Sequence, residues 1–373
     1  MTEPRGESNA YEAGMGFEDD ERDLDATADR LAQWLAPKVS VPATDIRIED
    51  LDAPLGTGFS SDTLIFELVY DKNGERYREG LVARLEPTEY IVFPTYDIAL
   101  QCRVLQLLDD TDVPVPRVRW FEPNPSILGV PFYLMDRIAG QVPSDNPPMH
   151  DEGWIADDLS EAEREKVWWN GFDAMCKVHR LDWKELGFDF LLEPERGATP
   201  LGQQLHYYQR YFEWGMPRER HPDIVRGLDY LESHKPAERQ IGLCWGDSRL
   251  ANQIFDDDLE CAAVLDWEMV RIGDPVQDLA WWLASDRCFS EGLELDRLPG
   301  IPSHEATIAR WREATGLSTE DLGYYSILAL TRFSMQMARI GQHMKKLGMI
   351  DEDNEFDYEN LASITLRRAL SEL

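Results

Sequence analysis

LCWGDSRLANQIFDDDLECAAVLDWEMVRIGDPVQDLA, residues 243–280, is the stretch that decides the fold. It holds Gly246-Asp247, then Asn252 five residues after that aspartate. A turn and a short apolar strand follow, then Asp266-Trp267-Glu268, Gly273-Asp274-Pro275 and Asp278-Leu279. Phosphoryl transfer to a hydroxyl needs one group to accept or orient a proton and oxygen ligands for the Mg2+ that clamps the phosphates. A carboxylate, an Asn at +5 across a tight loop and a second carboxylate on the next hairpin supply these together. Asp247 is therefore expected to face the acceptor hydroxyl, with Asn252 and Asp266 as metal ligands. One aspartate in a turn is usually a cap, and Asp258 in the hairpin reads that way. The joint pattern of acids and Asn in register carries the catalytic reading.

Working outward, the residues downstream of this stretch read as helices at about 275–286, 303–315, 319–346 and 356–371. Upstream, helical patterns fit 200–215, 221–234 and a run to about Leu181 that opens on the capping box Ser160-Glu161-Ala162-Glu163. Residues 141–159 are rich in Pro and Asp and read as a long loop. Before Gly140 the period switches to that of strands: Ile46 to Leu51, Thr63 to Tyr70, Gly80 to Leu85, Arg117 to Phe121 and Pro131 to Ile138. Asn73-Gly74 marks a hairpin tip, and 97–108 reads as one helix among the strands. The run Val113-Pro114-Val115-Pro116 cannot be helix. The expected architecture is α+β and bilobal. A disordered acidic tail over 1–25 precedes a small β-rich N-lobe over 26–137, which binds nucleotide. A helical C-lobe over 138–373 then carries the catalytic loop and the acceptor site. The tail expectation rests on nine acids against two bases and few large apolar residues.

Composition narrows the partners. Against 37 Lys+Arg stand 71 Asp+Glu, a formal charge of −34, which repels nucleic acid and anionic membrane. The same surplus also serves plain solubility. Five cysteines without a CxxC pair argue against a disulfide framework or a zinc site and for a reducing cytosol, so a cytoplasmic protein is expected. No apolar stretch reaches the ~18 residues of a membrane span, and the acidic N-terminus lacks a signal-peptide h-region. Nothing in the sequence reads out an oligomeric state.

The stretch 243–280 resembles the catalytic region shared by aminoglycoside phosphotransferases, choline kinases and homoserine kinases. That family's pattern is His-Gly-Asp, four residues, Asn, then Ile/Leu-Asp-Trp/Phe-Glu, Gly-Asp-Pro and Asp-Leu-Ala. Every polar element stands here except the His, which is Trp245. The segments Asp112-Val-Pro-Val-Pro-Arg117 and Leu128-Gly-Val-Pro-Phe-Tyr-Leu-Met135 are similar to a bacterial subgroup labelled aminoglycoside phosphotransferase. The resemblance implies a protein-kinase-like fold, ATP and Mg2+ as co-reactants, and a small-molecule hydroxyl acceptor that is aminoglycoside-like or hydroxyacyl-CoA-like. It also implies an architectural role for Asp278, tying the catalytic loop to the lower lobe, while Asp274 reads as structural. Glu268 is open between metal and an Arg partner.

On the nucleotide side, Gly56-Thr57-Gly58-Phe59-Ser60-Ser61 lies between two strands. Gly56 and Gly58 would let backbone N–H groups approach phosphates, and the Ser60 and Ser61 hydroxyls can donate. Arg84 stands at the strand position where kinases commonly carry Lys, and keeps a permanent charge in a phosphate-matching fork. A helix Glu to pair with it is not evident; Gln101 sits nearest the right place, with Asp97 one turn earlier. Phe132 to Ile138 resembles the family hinge, implying that the Asp136 carbonyl and the Ile138 amide read adenine. His179 and the doublets Trp168-Trp169, Tyr207-Tyr208 and Trp281-Trp282 read first as core, and second as pocket wall. With an altered ATP clamp, a nucleotide-binding pseudokinase is the alternative. The lack of Asp-Phe-Gly and Ala-Pro-Glu signatures after Asp266 speaks against a protein kinase.

Overall fold

The computed structural model describes residues 23–53, 62–87 and 92–373. Gly56, Gly58, Ser60 and Ser61 lie outside the described residues, as does most of the 1–25 segment.

The chain opens with α1 (Leu24–Val39), then β1 (Ile46–Asp52), β2 (Asp62–Lys72) and β3 (Glu75–Leu85). α2 (Ile98–Leu108), β4 (Val118–Glu122) and β5 (Phe132–Asp136) complete the first lobe. The five strands form one antiparallel sheet in the order β1-β2-β3-β5-β4. The β2–β3 hairpin closes at Lys72↔Glu75 over Asn73 (φ 56°) and Gly74 (φ 83°). Both central residues thus take the left-handed conformation that a two-residue hairpin turn demands. β5 shows why the sheet holds two layers apart. Phe132 and Leu134 join Leu31 and Leu35 of α1 and Phe66 of β2 in one core, while Tyr133 and Met135 join Val104 and Leu108 of α2 in the main core. Successive side chains on a strand face opposite ways, so one strand serves both layers.

The second lobe is mostly helical: α3 (Trp154–Asp157), α4 (Glu161–His179), α5 (Pro200–Gly215), α6 (Pro222–Ser233), α7 (Val276–Cys288), α8 (His304–Thr315), α9 (Leu322–Lys346) and α10 (Leu361–Ser371). Ser160 caps α4 with the expected capping box, Glu163 reaching back to the Ser160 N–H. Between α6 and α7 lie two small antiparallel pairs: β6 (Gly242–Cys244) with β9 (Arg271–Gly273), and β7 (Gln253–Phe255) with β8 (Cys261–Val264). They lie within the 243–280 stretch. β9 was not expected from the sequence; its pairing with β6 makes it a strand.

The lobes meet at a stitched linker. The Gln141 N–H donates to the Phe255 carbonyl and the Phe255 N–H to the Gln141 carbonyl, each at 2.8 Å. Gly140 (φ 143°) makes this possible, since a Cβ there would sit 2.3 Å from the Phe255 oxygen. All five cysteines are free thiols. No described helix is long and apolar enough to cross a membrane.

Candidate active site

The catalytic loop leaves β6 through Gly246 (φ 97°), where a Cβ would lie 2.2 Å from the Met269 carbonyl oxygen. Only glycine fits this close, left-handed passage. Asp278, wholly buried at the start of α7, accepts the Trp245 N–H at 2.6 Å and the Gly246 N–H at 3.0 Å. Its backbone carbonyl accepts the Ser248 hydroxyl at 2.8 Å. This is the tie between loop and lower lobe that the resemblance implied. His179 stands behind it. The Trp311 indole, which can only donate, gives its N–H to His179 Nδ1 at 2.9 Å. That fixes the proton on Nε2, which donates to Asp278 at 3.0 Å. His179 is thus a satisfied core residue, with both ring nitrogens bonded.

Asp247 is held from two sides. Its Oδ1 accepts the Trp281 indole N–H at 2.7 Å and the Arg249 Nε–H at 3.0 Å. Below the loop, Arg332 of α9 donates from Nη2 to the Gly246 carbonyl at 2.9 Å. Arg332 is buried, and its guanidinium lies 4.5 Å from the Trp281 ring centre. Burial pulls its pKa down, because desolvation disfavours the charged form.

Asn252 Nδ2 donates to the Asp247 carbonyl at 3.0 Å, which turns the amide oxygen Oδ1 to the other side. Asp266 follows β8 in a left-handed backbone conformation (φ 57°), unusual for a residue with a Cβ. Around it, the Leu265 N–H donates to the Asn252 carbonyl, and the Trp245 indole N–H donates to the Leu265 carbonyl, both at 2.8 Å. The substitution of His by Trp therefore leaves a donor that ties the catalytic loop to the Asp266 turn. Burial raises the Asp266 pKa; the Arg84 charge opposes this, Asp247 adds to it and Arg249 opposes it. Asp266 Oδ1 is sealed from solvent without a hydrogen-bond partner, an orphaned acceptor of the kind a hard cation satisfies. Among the described residues, no group of three or more His, Cys, Asp and Glu forms a metal cage. Mg2+ characteristically takes only one or two carboxylates and completes its shell with waters and phosphates. The Asn252 and Asp266 oxygens fit it.

The nucleotide side is looser. Arg84 on β3 donates to the Thr63 hydroxyl at 3.1 Å, lies beside the Tyr133 phenol and makes no ion pair among the described residues. Its charge nevertheless acts on Asp266. Gln101 is buried on α2, with Asp97 as that helix's N-cap. At the hinge, Asp136 donates its N–H to the Arg117 carbonyl at 3.0 Å, and Arg137 donates to Gly80 at 2.9 Å. The Asp136 N–H therefore lies on the edge of β5 turned from β3. The Asp136 side chain is engaged by Arg119 at 2.8 Å.

Sequence reasoning missed Arg249, Asp145 and Arg332. Arg249 forms an ion pair with Asp145 of the 141–159 loop as well as with Asp247. Its place two residues after Asp247 was a signal that could have been used. Asp274 is structural, as expected: its Oδ1 accepts the Val276 N–H at 3.0 Å and Gln240 Nε2 at 2.8 Å. Trp281 is core by packing, yet its N–H touches the candidate catalytic carboxylate.

Residues 53–298 match the model of the phosphotransferase enzyme family, APH. The chain belongs to this family. It is a family of phosphotransferase enzymes, whose catalysis typically uses ATP and Mg2+. A Ralstonia eutropha JMP134 protein assigned to the aminoglycoside phosphotransferases is 21% identical, with a TM-score of 0.65 over 92% of this chain and 95% of that one. A thermostable mutant of aminoglycoside phosphotransferase APH(4)-Ia is 16% identical, with a TM-score of 0.53 over 91% and 98%. These likenesses are of fold. Among curated proteins, mouse acyl-CoA dehydrogenase family member 10 is 29% identical over 208 residues, 54% of this chain and 18% of the relative. Human acyl-CoA dehydrogenase family member 11 is 24% identical over 293 residues, 75% of this chain and 35% of the relative. The chain spans about a third or less of the length of these two relatives.

Proposed function

We propose that Asp247 is the catalytic base of this phosphotransferase, and that Asn252 and Asp266 hold its Mg2+. The observation that carries the reading is the orphaned Asp266 Oδ1, on a turn bonded through Leu265 to the backbone of Asn252, whose own amide nitrogen is already spent on the Asp247 carbonyl. Trp281 and Arg249 both bond Oδ1 of Asp247, which leaves Oδ2 for the acceptor hydroxyl. As the acceptor oxygen forms its bond to the γ-phosphorus, its proton passes to Asp247 and the bond to the ADP oxygen breaks. Bound Mg2+ supplies charge neutralisation on the phosphate oxygens. Arg84, Gly56, Gly58, Ser60 and Ser61 are proposed to hold the phosphates, and the Asp136 carbonyl and Ile138 amide to read adenine. Residues 26–137 are proposed as the nucleotide-binding lobe and 138–373 as the catalytic and acceptor lobe. The protein is proposed to work in the cytoplasm, without nucleic-acid or membrane partners.

Arg84 without an ion-pair partner among the described residues favours one other reading, a nucleotide-binding protein that does not turn over. A screen of hydroxyl compounds with Mg·ATP, read by a phosphoryl mass shift, separates the two. Phosphorylated product that disappears in Asp247→Asn supports the enzyme reading. Nucleotide binding without product from any hydroxyl compound supports the other.

A further inference from the structure

Arg249 sits between two carboxylates and meets them unequally. Its Nε–H donates to Asp247 Oδ1 at 3.0 Å, and its Nη1 is bonded to Asp145. Nη2, on the same edge of the guanidinium as Nε, has no hydrogen-bond partner among the described residues. This is not the arrangement a guanidinium prefers beside a carboxylate. Its planar fork matches the two carboxylate oxygens with two parallel N–H bonds. Here the second bond, from Nη2 to Asp247 Oδ2, is not made, and Oδ2 is the oxygen that the acceptor hydroxyl must reach.

Asp145 turns the fork aside. It lies in the 141–159 loop, which is anchored on both sides of it. Before it, Gln141 and Phe255 exchange two backbone bonds, and the Trp154 indole N–H donates to the Val142 carbonyl at 3.1 Å. After it, the Leu298 N–H donates to His150 Nδ1 at 3.3 Å, so the His150 proton sits on Nε2 and is given to Asp286 at 3.0 Å. Asp286 is itself held by Arg297 at 2.8 Å and by His304 at 2.6 Å. Asp145 therefore presents its carboxylate from a pinned loop. Its charge-assisted bond to Nη1 offsets the one that Arg249 does not make at Asp247.

We infer that Asp145 is a positioning residue: it holds Arg249 in the one-bond orientation and so keeps Oδ2 of Asp247 open. The inference rests on the reading of Asp247 as base. Without Asp145, the fork swings to bond both oxygens of Asp247, and the base is capped by its own neighbour. The 141–159 loop thus arms the catalytic loop across a separation of 104 residues.

Three variants test this: Asp145→Ala, Arg249→Gln and the double variant. In a crystal structure of Asp145→Ala, Arg249 is expected to bond Asp247 through Nε to Oδ1 and Nη2 to Oδ2 together. A fork that keeps its single bond, or leaves Asp247, overturns the inference. The kinetic readout is hydrolysis of Mg·ATP, with water as the acceptor. Asp145→Ala should lower kcat about fiftyfold with KM for ATP unchanged, short of the roughly hundredfold or more that a positioned base contributes. Arg249→Gln should lower kcat about fivefold, the scale of one lost hydrogen bond. The double variant should match Arg249→Gln and run about tenfold faster than Asp145→Ala, because the group that caps the base is gone. A merely structural Asp145 gives the reverse order, with the double variant slower than either single one, and that result overturns the inference. Near-ultraviolet circular dichroism confirms that each variant is folded. Asp247→Asn keeps the two claims apart. Hydrolysis by Asp247→Asn at the wild-type rate sinks the base assignment and the inference with it. Slow hydrolysis by Asp247→Asn beside a wild-type rate in Asp145→Ala sinks the inference and spares the base.

Discussion

The proposed catalytic floor and the proposed nucleotide roof of this molecule are built in opposite ways. On the floor, buried partners from other parts of the chain fix the groups: Asp278 clasps Trp245 and Gly246, Arg332 holds the Gly246 carbonyl, and Trp281 holds Asp247, which its near neighbour Arg249 also bonds. On the roof, Arg84 has the Thr63 hydroxyl and the Tyr133 phenol beside it and no ion pair among the described residues. A group that must hold a proton acceptor to a fraction of an ångström repays rigid support. A cation that meets a flexible triphosphate tolerates slack, because its attraction falls off gently with distance. The difference teaches that loss of the usual Lys–Glu pair on the roof need not disable a floor that is locked independently.

The largest effect should come from breaking the floor. Asp278→Ala strips the partner from two buried backbone N–H groups and from His179, and is expected to destabilise the protein by about 3–5 kcal/mol. Chemical denaturation of the purified variant measures it. A loss below about 1 kcal/mol would mean that the loop is held by something else.

The next effect has the opposite sign. Burial raises the Asp274 carboxyl from 3.8 to about 6. An acid whose folded pKa is raised favours folding while protonated, so the structure loses stability as pH climbs from about 4 to about 6. Asp274→Asn keeps an oxygen for Val276 and Gln240 and removes the charge. It should gain up to about 3 kcal/mol at pH 7 and nothing at pH 4. Thermal melts at both pH values check the sign; a loss at pH 7 would show that the charge is used.

On the roof, effects should be smaller and confined to nucleotide. Arg84→Gln is expected to raise KM for ATP about tenfold, and Arg84→Lys by less than about threefold, since charge matters more than the fork where no partner fixes the geometry. Steady-state kinetics decides, and a kcat collapse with unchanged KM would place Arg84 on the floor after all. Trp245→Phe deletes the indole hydrogen bond to Leu265 and part of a wholly buried ring, at a cost of about 2 kcal/mol with KM for ATP unchanged, read as a shift in the denaturation midpoint.

Much of this was legible in the sequence because it is local. The 2-residue and 3.6-residue periods marked the strands and helices, Asn73-Gly74 marked its hairpin, and the acids of 243–280 share one stretch of chain. What stayed hidden depends on contacts across long separations. Arg332 meets Gly246 from 86 residues away, and Asp145 meets Arg249 from 104; neither leaves a periodic trace. Trp281 looked like core because it is core, and no sequence rule tells which atom of a buried indole finds a carboxylate. β9 escaped because its pairing with β6, not its composition, makes it a strand.

The central claim is that Asp247, Asn252 and Asp266 form one phosphotransfer centre. The most direct test is single-turnover transfer from Mg·ATP to the best hydroxyl acceptor, by wild type and by Asp247→Asn. The variant should bind Mg·ATP as the wild type does and transfer phosphate about a thousandfold more slowly, within the range a positioned base contributes. Transfer by Asp247→Asn at the wild-type rate would contradict the assignment outright.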